Sequence, residues 1–177
     1  MKKKVIVASG LISVLIVALI VAVNYKSTPS NNETQDIKQL VNDYSVGEIN
    51  NETASITPEQ LIITDSNENE STYALPEDEF FVSIAPYVTQ THPCAIHSLT
   101  GCQGELVNEE FNVYIEDMDG NVVIDETMQS QANGFIDLWL PRDKTYQITI
   151  SNNGKKQRSQ FSTFENDNTC ITTIQLT

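Results

Sequence analysis

The side chains that do redox and metal chemistry are scarce here: three Cys and two His in 177 residues. Basic residues are few as well. Ten Lys and Arg stand against 24 Asp and Glu, a formal charge of −14. A polyanion is bound through clustered Lys and Arg that release its counterions, so nucleic acid is excluded as a partner. Seven Gly and six Pro are too few for a collagen-like or low-complexity chain. No Cys precedes Cys94, so no lipobox supplies a lipid-anchored thiol. The chain has no Gly-rich phosphate loop, no Ser-x-x-Lys or Gly-x-Ser-x-Gly motif and no Ser/His/Asp set, so no residue is assigned a catalytic role. It also lacks βαβ alternation and any fixed internal repeat, and its length corresponds to about one domain.

The charge that is present is unevenly placed. Residues 1–26 carry Lys2, Lys3, Lys4 and Lys26 and no acid. The rest holds six basic against 24 acidic side chains, a balance of −18. After the three leading lysines, Val5 to Val23 contains no charge. As a helix this run would extend about 28 Å, close to the hydrocarbon core of a bilayer. The positive-inside rule keeps the lysines in the cytoplasm and sends the acidic body across. The run is longer than the apolar part of a cleaved signal peptide and ends without a clean Ala-x-Ala. Residues 1–26 are therefore read as a single transmembrane signal anchor in a cell membrane, with cleavage and release as the alternative. Residues 27–53 follow as a tether containing a short helix over Asp36–Tyr44, where Ile37, Leu40, Val41 and Tyr44 share a face. Ser27 to Thr34 is polar and is expected to be flexible.

From residue 54 the pattern becomes that of strands. Leu61–Thr64 and Ser71–Leu75 read as a hairpin. Phe80–Ala85 reads as a buried strand stopped by Pro86. Phe111, Val113 and Ile115 alternate with polar neighbours, as do Tyr146, Ile148 and Ile150. Asp119-Gly120 precedes Val122–Ile124 as a type I′ hairpin signal. Asn133-Gly134 precedes a strand over Phe135–Leu140, where Trp139 is expected in the core, and Asn153-Gly154 precedes another over Gln157–Phe164. Cys170, Thr172, Ile174 and Leu176 share one face of a last strand. The expected fold is mainly β, a β-sandwich-like domain over 54–177 with a short helical segment before it. Asp117-x-Asp119-Gly120-Asn121 only faintly resembles a calcium loop, because its Gly falls at the wrong position.

Four of the five Cys and His residues lie in one short window: His92, Cys94, His97 and Cys102. The fifth, Cys170, opens the last strand. If residues 94–98 make one helical turn, Cys94 and His97 point to the same side. Gly101 then lets the chain bend back so that Cys102 faces them. Thiolates and imidazole are soft or borderline ligands suited to Cu(I) or Zn(II). His92 is a further candidate, although Pro93 can turn it away. Two other readings of the same residues stand open. One is a Cys94–Cys102 disulfide with Cys170 as a spare thiol. The other is a thiol redox protein, which would lack the usual Cys-x-x-Cys pair. Sulfur–sulfur separations decide between them, because metal–sulfur bonds are roughly 2.3 Å.

The stretch Phe81–Tyr87, Thr91-His92-Pro93-Cys94 and His97–Leu106 resembles the CueP family of bacterial periplasmic copper-binding proteins. The similarity continues through Ala132–Phe135, Leu138–Asp143, Phe161–Thr163 and Thr169–Thr173. It implies Cys94, Cys102 and Cys170 as copper-binding thiols, with His97 as the nearby imidazole. It further implies copper sequestration outside the cytoplasm, and delivery to an exported cuproenzyme such as Cu,Zn superoxide dismutase. Reduction of Cu(II) by the thiols would be stoichiometric rather than enzymatic, and zinc would be the competing metal. The expected partners are the copper ion, its recipient, the membrane and a second copy of the chain. The long apolar head departs from the family's soluble pattern and suits a cell with one membrane.

Overall fold

The computed structural model describes residues 31–177, which form one compact unit. The expected signal anchor lies outside the described residues. Among the described residues no helix is long and apolar enough to cross a membrane.

The chain opens with helix α1 (Asn31–Ser45). It begins earlier than Asp36, inside the segment expected to be flexible. Ile37, Val41 and Tyr44 are buried and Leu40 partly so, the face expected from their spacing. Lys38 anchors the outer side, paired with Glu79 and lying 5.3 Å from the Trp139 ring centroid. Eleven strands follow: β1 (Thr53–Ile56), β2 (Gln60–Thr64), β3 (Glu70–Ala74), β4 (Glu79–Ile84), β5 (His97–Ser98), β6 (Glu110–Asp117), β7 (Val122–Gln129), β8 (Ile136–Pro141), β9 (Thr145–Asn152), β10 (Lys155–Ser162) and β11 (Cys170–Ile171).

They form three sheets, ordered β3-β2-β1-β5, β10-β9-β6-β7 and β11-β4-β8. The last of these is the middle layer. Its strand β4 is apolar along almost its whole length and buried on both faces, as a continuous apolar run demands. Phe80, Val82 and Ile84 of β4 join Phe111, Val113 and Ile115 of β6 and Tyr146, Ile148 and Ile150 of β9 in one core. Phe81 packs the other way, with α1, β1 and β2. The β-rich class is as expected. The sandwich-like pair made by the second and third sheets carries an additional layer on its far side, built from the helix and the first sheet.

The hairpins form where the turn residues stand, with one difference in type. Asn153 and Gly154 both have positive φ, 50° and 80°, the signature of a type I′ turn. At Asp119-Gly120 only Gly120 does, at 84°. Gly120 N–H donates to Asp117 O and Asp117 N–H to Asn121 O. The loop is one residue longer than a type I′ hairpin, and Gly takes the left-handed position that follows a type I turn. Asp117 holds it by accepting from the backbone of Asp119 and Asn121 and from the Asn121 side chain. These bonds, that of the Asn121 side chain foremost, keep the Asp117 carboxyl well below the usual carboxylate range. The hairpin accounts for the apparent calcium motif.

The last strand is shorter than expected. Only Cys170–Ile171 pair with β4, in parallel, and a single bridge joins Tyr87 to Gln175 farther on. The alternation survives, since Cys170, Thr172, Ile174 and Leu176 are buried. Gly104 and Gly134 meet backbone to backbone beside this edge. A Cβ on Gly134, whose φ is +80°, would sit 2.7 Å from Gly104 O. Gly104 N–H also donates to Asn133 O at 2.6 Å. Gly134→Ala should therefore cost at least about 2 kcal/mol in chemical denaturation, from left-handed strain plus a backbone clash. Gly154→Ala, with open space around it, should cost about 1 kcal/mol. Equal losses would show that the close approach is not held.

Candidate metal centre

The window that carries four of the five scarce residues does not form a helical turn. Residues 97–98 extend as β5 and pair with Ser55 and Ile56 of β1. The reason lies in Thr169, a fully buried residue just before β11. His97 N–H donates to its hydroxyl at 3.0 Å, and that hydroxyl donates to Ile56 O at 2.6 Å. Ser83 N–H of β4 donates to its carbonyl at 2.8 Å. A buried backbone group needs a partner, and extended residues 97 and 98 find theirs in β1 and Thr169. Cys170 N–H closes the arrangement by donating to Ala95 O at 3.2 Å.

This pairing brings His97 and Cys170 together from 73 residues apart, with Nδ1 3.5 Å from Sγ. His97 is 0% and Cys170 1% exposed. Past Ser98 the chain turns, with Gly101 and Cys102 N–H both donating to Ser98 O. A Cβ at Gly101 would lie 2.8 Å from Ser98 Oγ, a contact that rotation of the hydroxyl relieves. The turn sets Cys102 Sγ 3.5 Å from Cys94 Sγ and within 3.4 Å of Ser98 N–H. All three cysteines are free, and the Cys94–Cys102 separation exceeds the roughly 2.05 Å of a disulfide. Among the described residues two metal-capable groups result, His92 with Cys94 and Cys102, and His97 with Cys102 and Cys170. The ligand atoms within each lie no more than 4.8 Å from one another. The structure thus brings together all five residues named from the sequence.

The floor of the site is apolar. Cys170 packs with buried Ala85 and Phe135, and Cys94 and Cys102 lie against them. The Phe135 ring is 4.5 Å from that of His97. The three thiols differ in acidity. Hydrogen bonding from the Cys170 thiol is the largest influence on Cys102 and, with His97 and Ser98 N–H, lowers its pKa far below that of an ordinary thiol. The same contact holds the proton on Cys170, and burial adds to it. Cys94 is raised, chiefly by burial. One thiolate beside two thiols is a donor set prepared for a soft cation.

Three positioning residues belong to neither ligand group and were not singled out by the sequence reading. Thr169 is one and Phe135 another. The third is Glu105, whose carboxylate accepts from the Thr89 hydroxyl and from the N–H groups of Val88, Thr89 and Gln90. These bonds, led by that of the Thr89 hydroxyl, bring its pKa down to about 2. Glu105 so ties the two ends of the loop bearing His92 and Cys94. Only the pairing pattern of the folded chain reveals such roles.

A family model described as periplasmic copper-binding protein CueP matches residues 36–175. The crystal structure of S.CueP is similar to this chain, with 38% identity and a TM-score of 0.75. The match covers 80% of this chain and 89% of that one. No curated protein matches.

Two outcomes are expected. Iodoacetamide at pH 6 should label Cys102 at least about tenfold faster than Cys94 or Cys170, since an ordinary thiol is under about 1% ionised there. Peptide mass spectrometry reads this, and equal labelling would contradict the assigned acidities. Thr169→Val should destabilise the fold by about 2–4 kcal/mol, leaving His97 N–H and Ile56 O unpaired. Thr169→Ser, which keeps the hydroxyl, should lose less.

Proposed function

The chain belongs to the CueP family of periplasmic copper-binding proteins, and from that premise we propose that its exported body holds Cu(I) through Cys94, Cys102 and Cys170, with His97 as the accompanying imidazole. The 3.5 Å approach of His97 Nδ1 to Cys170 Sγ, beside Cys102, carries this reading. Thiolate sulfur on an apolar floor suits Cu(I), a soft cation of low coordination number, while zinc in a Cys/His set is the competing occupant. His92 stands at the exposed side of the same cluster as a further ligand.

The biological role proposed is sequestration for copper resistance and delivery to an exported cuproenzyme such as Cu,Zn superoxide dismutase. The N-terminal 26 residues serve as a membrane anchor that keeps the body at the outer face of the cell membrane, and homodimerisation is compatible with this arrangement. The 54–177 region is the copper-binding domain, with α1 packed on it. A second activity is favoured by the 3.5 Å separation of Cys94 and Cys102. Joining the Cys94 thiol and the Cys102 thiolate as a disulfide releases one proton to solvent and two electrons, which reduce two Cu(II) to Cu(I). The step is stoichiometric until a thiol reductant restores the pair.

Anaerobic titration of the full chain with Cu(I) against a competing chelator tests the binding role. Cys102→Ser should weaken binding by at least about 100-fold, beyond the effect of removing an outer-shell partner. Unchanged affinity would remove the basis for the copper reading. Binding must also weaken on acidification. Cys170 keeps its proton well above neutral pH in the free protein, so a proton leaves as the metal arrives. Affinity should fall by about tenfold per pH unit for each proton released.

A further inference from the structure

We propose that Cu(I) occupies two successive positions here that share the Cys102 sulfur. The outer position is formed with Cys94 and His92, the inner with Cys170 and His97, and the ion passes from outer to inner. The proposal rests on the copper-binding reading and divides its ligands between an entry and a resting place.

Three observations carry it. First, the Cys and His side chains fall into two ligand groups with Cys102 common to both. Second, the groups differ in access. His92 and Cys94 are half-buried, and His92 lines a cleft of about 200 Å³ together with Gln103 and Glu105. His97 and Cys170 are closed off from solvent, so an ion reaches them by way of the half-buried Cys102. Third, His97 Nε2 is buried without a hydrogen-bond partner among the described residues. The other ring nitrogen, Nδ1, already lies 3.5 Å from Cys170 Sγ and faces the inner position.

Transfer is an exchange of ligands with no change of oxidation state. The Cu–S bond to Cys94 breaks as the bond to Cys170 forms, and the bond to Cys102 persists throughout. The proton lost from the Cys170 thiol is matched by one taken up by the freed Cys94 thiolate. Because Cys102 never lets go, the ion is not released to water between positions.

The test uses the full chain, reduced and anaerobic, with Cu(I) supplied as its bicinchoninate complex. Stopped-flow absorbance reads uptake, and competition reads equilibrium affinity. Cys94→Ser and His92→Asn should slow uptake by about tenfold or more and weaken affinity less than Cys170→Ser does. Cys170→Ser should show the reverse, a larger loss of affinity than of uptake rate. Equal effects of Cys94→Ser and Cys170→Ser on both quantities would overturn the two-position scheme while leaving copper binding intact. Full affinity in Cys102→Ser would instead sink the copper reading itself. X-ray absorption of the unmodified one-to-one complex gives a check that needs no variant. Two sulfurs and one nitrogen around copper, the donor set that both positions share, agree with the scheme, and three sulfurs without nitrogen overturn it.

Discussion

The hydroxyl of Thr169 is the joint on which the site depends. It accepts from His97 N–H and donates to Ile56 O, while the carbonyl of the same residue receives Ser83 N–H. One buried residue thus links the first sheet to the middle one. In a low-dielectric interior each of these groups is costly to leave unpaired, so the link is enforced. Its consequence is local and exact in register: residue 97 of one sheet is set beside residue 170 of another, and the imidazole meets the thiol. Around this joint, β4 supplies the mechanical frame. Buried on both faces, it presents Phe80, Val82 and Ile84 to one core and Phe81 to the other.

The acidic residues have structural tasks rather than metal-binding ones. Glu105 gathers the N–H groups of residues 88–90, and Asp117 organises the β6–β7 hairpin. Asp137 accepts from Ser45 and Ser83 at 2.5 Å each, tying the end of α1 to the middle sheet. Carboxylates thus build the scaffold while sulfur and imidazole furnish the soft donors. The division explains how a body of charge −18 suits copper better than calcium: oxygen ligands are present in number but are committed elsewhere or exposed, and none belongs to the metal-capable groups.

Much of this was legible in the sequence because it is local. Strict alternation in residues 111–115 and 146–150, the unbroken apolar run of 80–85 and the Asn-Gly pairs specify strands and turns without reference to the rest of the chain. The helix face at 37, 40, 41 and 44 is equally local. The five candidate ligands stood out through scarcity alone, and the resemblance selected among their readings. What was not legible depends on partners distant in sequence. Residues 94–98 have a spacing compatible with a helical turn, yet β1 and Thr169 offer backbone partners that make His97–Ser98 a strand. β1 itself is four residues long, too short to declare a period. The division of the ligands into two groups required knowing where Cys102 turns and how deep Cys170 lies.

The parallel pairing of Cys170 with Ser83 also orders events in time. A chain threaded across a membrane emerges unfolded, N-terminal portion first, and at that stage Cys94 and Cys102 are close neighbours while Cys170 has yet to appear. The two-residue strand it belongs to docks on the edge of β4, which lies far earlier in the chain. The buried half of the site is therefore completed among the last steps of maturation. A nascent chain can meet copper with at most its early pair of thiols. Under the proposed function, deep retention of the ion belongs to molecules whose fold is complete.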